Sequence, residues 1–435
     1  MSQQTILSAA NPASNATRRY VLGVLVVVYT FNFIDRQILA ILLPSIKAEF
    51  GVNDWVLGLL AGPAFAVFYA TLGVPIALIA DRWNRRNLIA VALAVWSGMT
   101  ALSGAAASVT QLALARVGVG IGEAGCSPPA HSIISDYYPP EKRSAAMGIY
   151  TGGISIGIMI AYLAGGWVAQ NIGWREAFFI VGAPGLLLAL IVRFTVHEPE
   201  RGMSEGRIDT AERPGMLLVA KYLFRSRSFL HMAIGSGLAA FAGYAVISFF
   251  PSFLNRSHGM NLAEIGVYLG LIIGIAGAVG FAGGGYFADH IGRKRRKNSL
   301  IGVAVATIIS WIFMVPVYLV ANPYVALAIF VVPATLSNFY LGTTIAQTQS
   351  LVGLRMRAVA SAILFFILNI IGLGLGPLIA GMLSDALTIG YGAQSMRYSL
   401  LIISLVLSPW SALHYYFAAS HIEGDLARVN GGPRG

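Results

Sequence analysis

The chain has 435 residues, of which 57% are apolar and 11% charged, against about 25% charged in soluble domains. With a mean hydropathy of +0.72, too few charges are present to cover a water-soluble surface of this size, which excludes a soluble enzyme or binding domain. The net charge of +11 would point to nucleic acid in a soluble protein, but here it reads as the cation excess of a cytoplasmic membrane face, with no nucleic-acid partner.

Residues 1–17 are polar and lead to Arg18-Arg19. The apolar segment that follows is too long for a signal core of about 7–15 residues, so a disordered cytoplasmic start is expected. A helix that crosses a bilayer needs about 20 mostly apolar residues. Twelve stretches qualify: 20–46, 55–80, 87–107, 110–136, 144–170, 174–196, 229–254, 262–288, 298–320, 323–350, 357–385 and 393–418. The expectation is an all-α integral membrane protein with twelve transmembrane helices in two six-helix bundles, residues 18–196 and 229–420. Between them, residues 197–228 are rich in Glu, Arg, Ser, Gly and Pro and read as a cytoplasmic linker. Its Met216–Phe224 (MLLVAKYLF) is either an amphipathic helix on the membrane surface or plain solvated chain. Residues 421–435 form a cytoplasmic tail.

Twelve crossings put both termini on one side. With that side in the cytoplasm, only Lys47, Arg175, Arg256 and Arg397 of the 29 Lys and Arg fall outside, and only Arg36 and Arg116 fall within spans. The bias follows the positive-inside rule and suits a bacterial-type inner membrane. The 49 glycines suit close helix packing. The lone Cys126 excludes an internal disulfide.

After span eight the chain reads Gly285-Tyr286-Phe287-Ala288-Asp289-His290-Ile291-Gly292-Arg293-Lys294, and after span two a weaker copy reads Asp81-Arg82-Trp83-Asn84-Arg85-Arg86. A carboxylate at a helix end can pair with arginine or cap a neighbouring helix. Asp81, Arg82, Arg85, Asp289, Gly292 and Arg293 are therefore candidates for a latch that holds the halves together on the inner side. Arg295, Arg296 and Lys297 read as plain topological cations. This signature resembles that of the major facilitator superfamily over about residues 18–420, with Ala77 and Asn84 standing where the first copy would carry glycines. The resemblance implies alternating access between two halves. Span eleven adds the Gly372–Gly381 run with Pro377, and span five a looser counterpart from Gly157 to Gly166.

Four ionisable residues lie well inside spans: Asp35, Arg36, Arg116 and Glu123. Such charges cost at least about 2.5–3.5 kcal/mol at the bilayer centre and usually face a cavity or a partner. Arg116 and Glu123 are seven apart, about 20° short of two helical turns, so they share a face, with Gly120, Ser127 and His131 close to it. Asn32 shares a face with Asp35, while Arg36 points about 100° away. Either the acids simply neutralise the bases, or Asp35 and Glu123 carry protons while arginine holds an anionic substrate; the two ideas join if substrate competes for the arginine.

The second half has no charge well inside its spans. Its candidate cavity residues are Tyr244, Ser248, Asn338, Tyr340, Thr343, Thr344, Gln347 and Asn369, with Phe249, Phe339, Phe365 and Phe366. A site charged on one side and aromatic on the other suits an amphiphile. The segments Phe31–Arg36, Arg116–Ala124, Pro128, Ser135–Pro139 and Arg143–Gly148 resemble the Spinster branch. That resemblance implies export of lysolipids or sphingosine-1-phosphate-like lipids, linked to protons, with Asp35, Arg116 and Glu123 as proton and head-group residues and Arg36 as gate or counter-ion. Asn32, Arg36, Arg116, Glu123, Ser127, Tyr244, Ser248, Phe249, Tyr340, Thr343 and Asn369 form the candidate substrate site.

No metal or cofactor site is expected: one cysteine and seven scattered histidines do not make a metal cluster, and no hydrolase motif is present. A monomeric transporter, acting on a small amphiphile with protons and membrane lipids as partners, is preferred over a membrane enzyme, a channel and a scaffold. A drug or organic-anion transporter of the same fold is the alternative, with a uniporter behind it.

Overall fold

The computed structural model describes residues 14–201, 203, 215–293, 295–353 and 356–431. These residues are almost wholly helical. The first helix α1 (Asn15–Phe50) begins earlier than expected: Ser14 caps it by accepting a hydrogen bond from the Thr17 backbone, so the polar start is in part helix. Span two is α2 (Asp54–Ala61) and α3 (Pro63–Arg82), and span three is α4 (Arg85–Gly104). Span four is α5 (Val109–Glu123) and α6 (Ser127–Tyr137), followed by α7 (Pro140–Asn171) and α8 (Trp174–Thr195).

After the linker helix α9 (Met216–Leu223), the second half comprises α10 (Arg227–His258), α11 (Leu262–Leu271), α12 (Gly277–Gly292), α13 (Arg296–Leu319), α14 (Pro323–Leu336) and α15 (Phe339–Ser350). It ends with α16 (Arg357–Leu368), α17 (Gly376–Tyr391) and α18 (Ser395–Gly431). The last helix runs through Gly431, so most of the expected tail from 421 continues the span. Asp425 near its end explains why: its carboxylate accepts from the Ser228 backbone and from the Ser226 and Ser228 hydroxyls, which caps α10 and pins the two helices together.

Ten stretches of the described helices are long and apolar enough to cross a membrane. The longest, Arg357–Arg428, holds two crossings that turn at Gly392, whose φ of 51° suits glycine. Span four is missing from the ten because α5 and α6 are separated by a turn. All twelve expected spans are thus helical, but five are interrupted. Span two breaks at Gly62-Pro63, span four at Ala124–Cys126 and span ten at Ser337-Asn338, while spans eight and eleven carry π-helical turns at Ile272–Ala276 and Asn369–Leu375. Such turns widen the ladder locally and often lie at working sites. The span-eleven π turn packs against both α3 and α10, and the span-eight turn against α7, so each lies on the seam between the halves.

The buried apolar residues show how the halves meet. On the side away from the termini one cluster crosses the seam, joining Ile38 and Ile41 of α1 and Tyr162 of α7 to Phe253 of α10 and Leu269 of α11. On the terminal side the core divides in two, one cluster around Val21, Tyr150 and Val192 that meets the second half only at Leu373 and Tyr244, the other around Phe229, Leu300 and Tyr415. The far seam is tight enough to require glycine: a Cβ on Gly58 would collide with the Pro377 carbonyl, and one on Gly266 with the Tyr162 carbonyl. The bundle is therefore closed at the far face and parts toward the face that carries the termini.

Candidate functional site

The four intramembrane charges of the first half gather in one cluster, and only one acid–base pair in it is bonded side chain to side chain. Arg36, which the helical wheel turns away from Asp35, forks onto Glu123: its Nε and Nη2 donate to Oε2 at 3.0 and 2.6 Å. Three first-half rings box the same guanidinium, with centroids 4.9 Å away for Phe33, 4.9 Å for Phe65 and 4.7 Å for Tyr69. Cation–π contacts of this kind strengthen when water is excluded. Glu123 reaches Arg36 because it is the last residue of α5. The turn that follows frees the helix end from the straight course assumed by residue counting.

Asp35 is fully buried, and neither carboxylate oxygen has a hydrogen-bond partner among the described residues. Arg116 donates from Nη1 to the Asp35 backbone carbonyl at 3.3 Å, its Nε has no partner, and it stacks 5.4 Å from Phe65. Asn32 is likewise buried with an unpartnered amide nitrogen. Arg36 and Glu123 are thus paired, although Glu123 Oε1 has no partner among the described residues, and Asp35 and Arg116 are an acid and a base whose hydrogen-bonding capacity is largely unspent. Buried polar groups in that condition are uncommon.

A small cavity beside this cluster is lined by Arg36, Gln37 and Ala61 from the first half and by Tyr244, Ser248 and Leu373 from the second. It brings the predicted Tyr244 and Ser248 to Arg36 and adds Gln37, which the sequence reading missed. The other predicted second-half residues do not line this cavity. Phe249 is fully buried in the seam cluster and packs rather than lines a site. Thr343 bonds the Phe339 carbonyl, Tyr340 packs in the second-half core, and Asn369 begins a π turn. Asn338 bonds the Ala334 carbonyl, Thr344 the Tyr415 hydroxyl and Gln347 the Ser299 hydroxyl. Beside the expected second-half aromatic Tyr244, the rings that crowd the Arg36 charge are Phe33, Phe65 and Tyr69 of the first half. Phe65 and Tyr69 are one turn apart, just after the Gly62-Pro63 break, and that spacing was the available signal.

The far face is closed by a second charge network, unforeseen in the sequence. Asp54, in the first turn of α2 and buried, accepts from Lys47 at 2.5 Å, from Arg256 at 2.7 and 2.6 Å and from the Ser384 hydroxyl at 2.7 Å. Asp385 of α17 caps the same helix start, accepting from the backbone of Asp54 at 2.9 Å and of Trp55 at 2.7 Å. Two of the four cations that broke the charge bias, Lys47 and Arg256, thus have a structural use. The described hydrogen bonds between the halves, including Tyr162 to the Ile247 carbonyl and Leu262 to Gln170, all lie on this side of the molecule.

Residues 25–377 match the Major Facilitator Superfamily. The chain belongs to that superfamily. An MFS-type efflux pump of Mycolicibacterium smegmatis is 34% identical over 405 residues, 93% of each chain. Protein spinster homolog 3 of Danio rerio is 26% identical over 450 residues, covering 96% of this chain and 88% of that protein. The crystal structure of a bacterial homologue of the human lysosomal transporter Spinster, inward-facing and unoccupied, superposes with a TM-score of 0.88 at 33% identity, over 95% of this chain and 99% of that one. The protein is accordingly an integral membrane secondary transporter of small molecules, as are its family and structural neighbours.

Within this superfamily fold the described members of the expected latch make no described hydrogen bond between the halves. The side chains of Asp81 and Asp289 lie outside the described residues. Arg85 is buried and holds the first half to itself, bonding Asp136, the Ser132 hydroxyl at 2.7 Å, Glu198 at 2.7 Å and the Pro199 carbonyl at 2.8 Å. The other oxygen of Glu198 accepts from the Arg86 backbone at 2.8 Å and so caps α4. Arg82 and Arg293 are exposed, and Gly292 packs on Ser299 of α13. Removing one member of a buried ion pair costs about 3–5 kcal/mol, and the partial exposure of Glu198 and Asp136 puts Arg85→Ala near about 3 kcal/mol. Thermal unfolding in detergent should show a fall of several degrees for Arg85→Ala and a smaller one for Arg85→Lys, which keeps the charge but loses the fork.

Proposed function

We propose that this transporter exports an anionic, lysolipid-like amphiphile by alternating access, driven by protons that Asp35 and Glu123 take up and release. The face that carries the termini is the cytoplasmic one, on the strength of its cation excess, so the shape described above is inward-open. One chain holds both halves of the site, which suits a monomer.

The observation that carries this reading is the unspent pair in the first half. A charge on Asp35 has no hydrogen bond to compensate it, and an uncompensated buried charge is costly. Arg116 beside it has a free Nε and no described carboxylate bonded to its guanidinium. A proton on Asp35 would leave Arg116 as the net cation of the cluster, with Glu123 already committed to Arg36. An anionic head group would then satisfy Arg116, while an acyl chain follows the apolar second-half wall near Leu373. Loss of the proton would return Arg116 to Asp35 and release the anion, which couples the two fluxes. The efflux-pump relative supports the outward direction, and the likeness to Spinster proteins supports an amphiphile.

Binding tests the anion step. In nanodiscs, Arg116→Ala should weaken lysophosphatidate binding at least about tenfold, the loss of roughly one charge-assisted contact, and leave a cationic amphiphile unaffected. Equal affinity of wild type and variant for the anion would remove Arg116 from the site. Preferential binding of a short, soluble organic anion would favour the organic-anion alternative.

A further inference from the structure

The linker helix α9 is apolar on both of its sides. Val219 and Leu223, one turn apart, are fully buried in the cluster that includes Phe229 and Ile363, and they seat α9 against α16. The rest of the helix faces outward: Leu217 is 85% exposed, and Met216, Leu218, Tyr222 and Phe224 are each more than 40% exposed. A two-turn helix with no more apolar surface than it can bury would suit a solvated linker. Five large outward apolar side chains do not, because water contact with a contiguous apolar patch is unfavourable.

The level of α9 is fixed. It joins α10 through a short turn in which the Phe224 ring meets the Phe229 ring edge-on at 5.7 Å. Asp425 clamps the start of α10 at Ser226 and Ser228. The exposed patch therefore lies where span seven enters the bilayer, and Lys221, Arg225 and Arg227 lie on or beside it. Cations with apolar neighbours at that depth complement the head groups of an anionic leaflet.

We propose that α9 is an interfacial anchor: its outer face inserts at the head-group boundary of the leaflet on the terminal side, and Lys221, Arg225 and Arg227 engage anionic phospholipid phosphates there. Only the name of that leaflet, cytoplasmic, rests on the function proposed above. Because its inner face sits on α16, the anchor fixes the depth of the second half while the first half swings against it.

A nitrobenzoxadiazole dye on Leu217→Cys in the full chain reports the environment directly, since the native Cys126 is buried and the unsubstituted chain controls for its labelling. Leu218→Cys is the second position if the first misfolds. In nanodiscs holding one chain each, the anchor predicts blue-shifted emission, quenching by lipids with a doxyl group high on the acyl chain, and iodide quenching at least about fivefold weaker than for free dye. Adding phosphatidylglycerol to phosphatidylcholine should deepen the shift, and the Lys221→Gln, Arg225→Gln, Arg227→Gln triple variant should lose that response. Red emission with strong iodide quenching would overturn the anchor in favour of a solvated linker. Shielding that appears only with two chains per disc would overturn it in favour of a second copy. An unchanged response in the triple variant would overturn the phosphate contacts. None of these readouts depends on which substrate is carried.

Discussion

Glu123→Gln should reduce proton-driven transport at least about 100-fold while leaving lysolipid binding within about tenfold of wild type. The glutamine can still occupy the volume, but it cannot balance the Arg36 charge, and removing one partner of a buried pair costs about 3–5 kcal/mol. Phe33, Phe65 and Tyr69 remain around the guanidinium, so part of that cost is offset and the chain should still fold. Binding survives because Arg116 makes no described hydrogen bond to Glu123. The split between binding and flux is the informative result, and single-turnover flux beside equilibrium binding measures it. A variant that transports at the normal rate would make the Arg36–Glu123 pair a packing device only. A variant that loses binding and flux together would place Glu123 in the substrate site rather than in coupling.

The second large effect is expected at the far face. Asp54→Asn removes the charge that holds Lys47 and Arg256, and each hydrogen bond to a charged group contributes about 1.5–3 kcal/mol. A net loss of about 2–3 kcal/mol would shift the balance toward the far-open shape by roughly 30- to 150-fold. Spin labels on the far ends of α2 and α10 should then show a longer, broader distance distribution. Arg256→Ala should act in the same direction, and the double variant should add little to either, because both act on one contact. An unchanged distribution in both single variants would mean that the apolar seam, with its close Gly58 and Gly266 contacts, closes the far face without help from the charges.

Much of this was legible in the sequence for simple reasons. Bilayer thickness fixes span length, so twelve apolar stretches were countable, and a charge inside one is conspicuous. Asp35, Arg36, Arg116 and Glu123 therefore stood out, and they do gather. Their pairing was not legible, because it depends on where α5 stops and the chain turns, and hydropathy is blind to a turn among apolar residues. The same blindness hid the π turns at Ile272–Ala276 and Asn369–Leu375. The aromatic box escaped notice because phenylalanine in a membrane helix is ordinary, and only the fold brings Phe33 of α1 to Phe65 of α3. Asp54 escaped for the opposite reason: at a span boundary a charge costs little and attracts no attention, until Arg256 and Ser384 arrive from the other half. Arg85 was found but its ligands Ser132, Asp136 and Glu198 were not, since they come from span four and the linker of its own half.

The central claim is that proton movement and anionic lipid movement share the first-half cluster. Proteoliposomes holding a trapped pH dye test it most directly, with wild type, Asp35→Asn and Glu123→Gln in parallel and a drug-like cation as the control for leak. Addition of a lysophospholipid should change the internal pH in the wild type and in neither variant, and the cation should change it in none. A lipid-triggered pH change of equal size in wild type and both variants would contradict the account, and so would lipid transport by the folded wild type with no pH change at all.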